Sequence, residues 1–532
     1  MAAIGRRRLS RGLPLCLSLC LGLLPAGGAG CRRTSLLPRA DGAAVVVTAT
    51  PAATDQDVTF VPEVEPNDML PAAQKLEFAA TAAPLGVTGR LEAPAGKAHD
   101  VDLFRLTIPA PPGTGAGAGS ADAAGVVVRR RLSVEVTPGV YHLRVRAAGN
   151  SAGAYRLVAR LAPLETGEEQ EPNGKAALAS EAPAGGEVVG YHGWRHDQDW
   201  YRVPLAAAPD GSVLAVDLEG VPGVAASLLV FDSAERKLLE SHGRTEERVA
   251  VRNLRLPAGD PQLYVVVRAD AGRNATVRYN LRLRLEVPKG GSELEPNDDS
   301  AHAQAIADGD TLGFLGRGDV DVYRYTPPPG PAELDIELAP PERVDAKLEV
   351  LRATDGMLLA RADAGRRHEG ERIPNLFSPG GGAFLIRLSA GKSDGNPDEP
   401  YRLTVSSRAA EPGAEREPNA TAAAATPLPV GVVGTGLVYP RGDVDVWRVP
   451  LEGATAAGAT VTVTGIAGLT LEVRVQSNDE RELGRFKVAG ATPTPFTVAP
   501  AGAACCLVQI RDASTKIAAP NPRDRYALTV GP

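Results

Sequence analysis

Glu-Pro-Asn occurs four times in this chain, at Glu65–Asn67, Glu171–Asn173, Glu295–Asn297 and Glu417–Asn419. A second Glu stands two residues before each copy: Glu63, Glu169, Glu293 and Glu415. An Asp-x-Asp-x-aromatic follows 24 to 35 residues later. These are Asp100/Asp102 with Phe104, Asp197/Asp199 with Tyr201, Asp319/Asp321 with Tyr323, and Asp443/Asp445 with Trp447. Landmarks recurring in one order make the chain a tandem array of a single module of about 120 residues. That is the size of a whole domain, larger than a solenoid unit that needs neighbours for its core. The function must be one that four copies of a module can serve.

Each unit reads as strands. Large apolar residues fall at every second place after the aromatic, as in Tyr201–Leu205 and Trp447–Leu451, the period of a half-buried strand. A second such strand closes each unit, beginning at Tyr155, Tyr279, Tyr401 and Tyr526. The aromatic and the closing Tyr are 78, 78 and 79 residues apart in units two to four, but only 51 apart in unit one. Unit one therefore lacks one or two inner strands. Short alternating runs such as Ser227–Phe231, Leu263–Val267 and Thr460–Thr464 are separated by Gly, Pro, Asp and Asn. Many short strands with turn signals predict an all-β chain of four antiparallel β-sandwiches. The Ala-rich stretch after each motif has room for a helical turn and no more.

In an extended segment residues i and i+2 share a side. Glu63, Glu65 and Asn67 can thus converge, as can Asp100 and Asp102. Four carboxylates brought together repel unless a cation joins them. Ca2+ accepts six to eight oxygens at roughly 2.3–2.6 Å, whereas Mg2+ prefers few protein ligands. Pro-Asn is also good turn chemistry, and an Asp before a strand can simply cap a turn. Spacing alone leaves the ligand and turn roles both open.

Taken together, Glu-Pro-Asn-Asp, a Gly about 20 residues on (Gly89, Gly316), Asp-x-Asp-x-aromatic and a closing Tyr-x-Leu strand resemble the bacterial pre-peptidase C-terminal (PPC) domain. The resemblance covers roughly residues 61–532 as four units. It implies a jelly-roll-like fold for each sandwich, and Ca2+ held between the first motif and the Asp-rich strand start. The implied ligands are Glu63, Glu65, Asn67, Asp68, Asp100 and Asp102 in unit one. In unit three they are Glu293, Glu295, Asn297, Asp298, Asp319 and Asp321. Gly174 and Ala420 replace the last acid in units two and four, which implies weaker sites there. Collagen binding, known for some members, does not carry over, because aromatics are only 4% of this chain.

Residues 1–31 read as an export signal. Arg6, Arg7, Arg8 and Arg11 precede an apolar run from Leu13 to Leu24, then Ala26–Gly30 and Cys31. The pattern resembles a bacterial lipoprotein signal, in which Cys31 would be lipidated, and it departs from that pattern with Gly28 where Leu is usual. By the resemblance to lipoproteins, Arg32 rather than Asp after the Cys implies the outer membrane of a Gram-negative cell. Residues 32–60 read as a tether, and Gly113–Gly125 as a low-complexity loop. The expected domains are 61–162 (shortened), 163–288, 289–408 and 409–532. A net charge of −7 argues against nucleic acid as a partner. Cys505 and Cys506 are adjacent on a strand and point to opposite faces, so they read as packing residues without a disulfide.

No zinc-protease helix, phosphate loop or Cys-x-x-Cys is present. His192 and His196 near Asp197 and Asp199 are confined to one unit. Four equivalent Asp-x-Asp copies do not read as an acid/base pair. The chain reads as a non-enzymatic, lipid-anchored envelope protein with binding or spacer modules, possible Ca2+ sites and an extracellular protein or glycan as ligand. The alternatives are a carbohydrate- or matrix-binding adhesin, and an accessory to a secreted peptidase.

Overall fold

A computed structural model describes residues 17–19, 43–50, 58–77, 85–92, 100–108, 130–136, 139–147, 153–163, 167–391, 394–429, 431–440, 442–450, 459–479, 481–499, 505–513 and 523–531. Cys31 and Gly113–Gly125 lie outside the described residues, as does nearly all of the export signal. The chain packs as two compact units. One holds most of residues 1–284, and the other holds 285–532 together with 209–215 and 250–256.

The fold is all-β, with two antiparallel-rich sheets per repeat. The third repeat serves as the reference. Its strands are β1 (Gln304–Ile306), β2 (Gly309–Leu315), β3 (Val320–Tyr325), β4 (Ala332–Ala339), β5 (Ala346–Arg352), β6 (Leu358–Ala362), β7 (Glu371–Ser378), β8 (Phe384–Ala390) and β9 (Asn396–Ala409). One sheet runs β1-β3-β8-β5-β6 and the other β2-β9-β4-β7. Alternate residues of the two sheets meet in one core that includes Tyr323, Leu334, Ile336, Leu348, Val350, Ile386, Tyr401 and Leu403. The second and fourth repeats have the same nine strands in the same two orders. The Ala-rich stretches hold single 3-10 turns, at Leu70–Ala72, Ala176–Leu178 and Ala422–Ala424. Cys506 is buried, Cys505 half-buried, and neither is in a disulfide.

The first repeat differs in where its inner strands come from. Its 130–136 and 153–163 strands match β7 and β9, but the strand between them is Ala43–Thr50. The position of β5 beside β8 is taken by Leu17–Leu19, antiparallel to Gly139–Ala147. Ala43–Thr50, which precedes the motif, thus supplies one inner strand that the short spacing omits, whereas Leu17–Leu19 lies within the expected export signal and would be lost from a chain processed at Cys31. Within the tether expected over 32–60, residues 43–50 are thus a strand. Val45-Val-Val47 is a β-branched run that suits a pleated inner position, and the composition around it masked that signal.

Candidate metal centre

The local geometry of the motif is the same in every repeat. All four Glu-Pro bonds are cis. The Glu of Glu-Pro-Asn accepts from the Asn N–H two residues on: Glu65 at 2.7 Å, Glu171 at 2.9 Å, Glu295 at 2.8 Å and Glu417 at 3.1 Å. The Asn itself is fully buried in each copy. In the first three repeats its carbonyl accepts from the amide just after the second Asp, as in Asn173 from Trp200 (3.1 Å) and Asn297 from Val322 (2.9 Å). The motif is thereby fastened to the start of the aromatic strand.

The two Asp residues divide the work in repeats one, three and four; in the second repeat, Asp197 both accepts from Gly193 N–H (2.7 Å) and keeps an unpartnered oxygen beside Asp199. The first Asp caps a turn: Asp319 accepts from Gly316 and Val320 (both 2.9 Å), and Asp443 from Tyr439 (2.9 Å) and Val444 (2.8 Å). Asp100 accepts from Glu92 (2.5 Å). The second Asp is different. Asp102, Asp199, Asp321 and Asp445 are fully buried, and each has at least one oxygen with no hydrogen-bond partner. For Asp102 and Asp321 both oxygens are orphaned. A buried unpaired carboxylate oxygen is costly, so each such atom calls for an explanation.

These atoms converge with the glutamates. Glu63, Glu65 and Asp102 offer oxygens within 4.8 Å of one another, and so do Glu293, Glu295 and Asp321. The same holds for Glu171, Asp197 and Asp199, and for Glu415, Glu417 and Asp445. Oxygens at about 2.3–2.6 Å from one Ca2+ can be at most roughly 5 Å apart, so this spacing fits a calcium shell. The donor set also fits, being oxygen only. Asp68 and Asp298, the acids missing from repeats two and four, are not in these trios, and all four repeats have one. Asp68 instead accepts from Val101 at 3.3 Å.

Burial sets the electrostatics. Loss of solvation pushes Asp321, Glu293 and Glu295 well above the usual carboxylate range, with neighbouring acids adding to it. Burial likewise moves Asp102 up to about 8, Glu415 to about 8 and Glu417 to about 7. Asp319, well supplied with amide donors, reaches only about 6. His192, beside the second trio, is buried and pushed down to about 4 by desolvation, and its ring packs on Tyr279.

Two partners of the trio escaped the sequence reading. The closing Tyr is one: Tyr155 donates to Glu63 (2.8 Å), Tyr279 to Asp199 (2.7 Å), and Tyr401 to Glu293 (3.2 Å). A Tyr, never a Phe, at the end of every unit was the available signal, since a hydroxyl in a core strand needs a partner. The other is a glycine. A Cβ on Gly89, Gly190, Gly313 or Gly436 would lie about 2 Å from the first Glu and the Tyr hydroxyl of its repeat. The counterpart of Gly89 is thus Gly313, which corrects the choice of Gly316. Gly316 instead belongs to the turn that Asp319 caps.

No helix among the described residues is long and apolar enough to cross a membrane, which leaves strand-borne crossing unaddressed. No protein-family model and no curated protein matches the chain. Solved structures match it distantly. The CUB1-EGF-CUB2 region of human MASP-1/3 is 9% identical, over 42% of this chain and 99% of that one, at a TM-score of 0.15. A Sulfolobus turreted icosahedral virus protein is 9% identical, over 72% and 86%, at 0.16. The BSP domain of a biofilm-associated protein is 11% identical, over 66% and 69%, at 0.11.

Proposed function

We propose that the chain is a non-enzymatic, lipid-anchored cell-envelope protein whose four sandwiches act as binding or spacer modules, each held at its motif edge by Ca2+. The observation that carries this reading is the fourfold recurrence of a carboxylate trio with orphaned, buried oxygens. A cation would offset both the repulsion and the lost solvation of those oxygens. It would also join the motif segment to the aromatic strand, so its role is structural and the same in every module. The PPC-like motifs and the lipoprotein-like sequence ending at Cys31 support the module type and the anchor. Calcium titration of the full chain by calorimetry tests the first part, with binding of up to four ions expected. Heat identical to buffer dilution removes calcium from the reading. Fractionation tests the anchor: wild type sediments with membranes, Cys31→Ala is released, and a wild type already soluble removes the anchor.

A further inference from the structure

The fourth repeat's trio is completed by a side chain from the third repeat. Strand β7 is the edge of its sheet, and its register with β4 shifts between Leu334 and Ile336. At that irregularity Asn375 adopts a left-handed backbone, φ 54°. The outer edge of β7 then pairs with the fourth motif. Phe377 N–H donates to the Glu417 carbonyl (2.8 Å), and Glu417 N–H donates to the Asn375 carbonyl (3.1 Å). Arg416 stacks its guanidinium over the Phe377 ring at 4.7 Å.

The Asn375 side chain goes further in. It is 1% exposed, and its amide donates to Glu415 Oε1 at 2.5 Å. Its carbonyl oxygen is held by Arg525 of the fourth repeat (2.8 Å) and Arg408 of the third (2.9 Å). Glu415 also accepts from Leu437 N–H (2.9 Å), leaving its Oε2 unpartnered. Glu417 Oε1, Asp445 Oδ2 and Asn419 Oδ1 are unpartnered beside it. Glu415 and Glu417 therefore face two ways. One side of each meets the third repeat, and the other faces the trio.

We infer that Asn375 is a positioning residue for a divalent-cation site at Glu415, Glu417 and Asp445, and that filling this site and docking the third repeat on the fourth are one linked equilibrium. This rests on the cation reading above. With Glu415 aimed by Asn375, the docked state presents the trio ready-made. Linkage is reciprocal, so the factor by which docking tightens cation binding is the factor by which the cation tightens docking.

Hydrogen exchange on the full chain, with and without Ca2+ as the only added ligand, tests this. Calcium is expected to slow exchange in Val444–Pro450, beside the site, and also in Glu371–Ser378, across the junction. Asn375→Gly keeps the left-handed backbone while removing the amide. In it, the junction response is expected to vanish and half-saturation at Val444–Pro450 to need about fivefold or more extra calcium, the lower end of typical couplings. Asp445→Asn should abolish the calcium response in both segments, and it decides the matter if the Gly variant does not fold. A wild-type response at Val444–Pro450 without one at Glu371–Ser378 overturns the linkage and leaves the cation reading standing. So does an Asn375→Gly variant with wild-type calcium dependence. No response in either segment rejects cation binding here, and the linkage with it.

Discussion

The first and third repeats carry the same letters, Glu-x-Glu-Pro-Asn-Asp followed by Asp-Val-Asp, and bring the same three carboxylates together. Their surroundings differ. Glu65 is exposed and Glu63 half-buried, whereas Glu293 and Glu295 are 1% and 3% exposed. The third motif is covered by the segment Asn253–Arg255. Arg255 N–H donates to the Glu295 carbonyl (2.8 Å), and Glu295 N–H donates to the Asn253 carbonyl (3.0 Å). Asn253 is left-handed, φ 50°, as Asn375 is before the fourth motif. Among the described residues no such pairing covers Glu65. The motif sets which oxygens meet, and the chain that lies against it sets how dry they are.

The largest expected effect of that difference is in calcium and pH dependence. Burial raises these carboxylates in the folded state, Asp102 to about 8 and Asp321, Glu293 and Glu295 well above the usual range. The unfolded chain ionises them near pH 4. Below that value both states are protonated and there is no penalty. As pH rises toward the folded values, the unfolded state loses its protons first, so without cation the Asp102 contribution to stability falls between about pH 4 and 8, and that of Asp321, Glu293 and Glu295 falls from about pH 4 upward. A cation that binds only the folded, ionised trio reverses this, by about 2.7 kcal/mol at a hundred times Kd. Thermal melts of the full chain should show calcium stabilisation that is small near pH 4.5 and large near pH 8. Asp321→Asn should remove more of it than Asp102→Asn. Equal losses from the two variants would break the comparison, and a calcium effect that does not vary with pH would break its electrostatic basis.

The next effect sharpens what the two repeats share. An added Cβ at Gly313 would sit 1.8 Å from Glu293 Oε2 and 2.3 Å from the Tyr401 hydroxyl, while at Gly316 the nearest atom is 3.4 Å away. Overpacking of this kind costs about 1–3 kcal/mol. Gly313→Ala should lower the melting temperature and weaken calcium binding together, because the displaced atom is a carboxylate oxygen of the trio residue Glu293. Gly89→Ala should do the same more mildly, since Glu63 is half-exposed and can yield. Gly316→Ala should leave both nearly unchanged. Calorimetry of the three variants checks the order, and a Gly316→Ala loss matching that of Gly313→Ala would contradict it.

Much of this was legible in the sequence, because period-2 alternation and a fourfold motif are local signals. The antiparallel sandwiches follow from them, as does the pairing of Glu295 with Asp321, but the count of nine strands does not. Two things were not legible. Ala43–Thr50 precedes its motif and fills an inner place that other repeats fill from within, so register gives no hint of it. The Asn375 contact with Glu415 depends on a single left-handed residue that ends normal pairing and frees an edge. Its sequence signal is one Asn inside an apolar strand, Ile373–Phe377, and a one-residue signal reads equally as a bulge.

The smallest expected effect concerns Asp298, which together with Asp68 distinguishes repeats one and three from two and four by sequence. If it were a ligand of the same rank as Asp321, repeats two and four would be crippled. Yet Asp298 is outside the trio, and Gly174 and Ala420 stand in its place beside equally compact trios. Its charge still bears on Glu293, Glu295 and Asp319, each of which it pushes upward. Asp298→Gly therefore removes a repulsion without cation and a distant attraction with it, and these partly cancel. A shift within about 0.5 kcal/mol, or roughly twofold in calcium affinity, is the expected outcome. Titration of Asp298→Gly beside Asp321→Asn decides the matter. A tenfold loss in Asp298→Gly would place that carboxylate on the ion and restore the ranking of repeats by their motif letters. A twofold loss leaves burial as what ranks them.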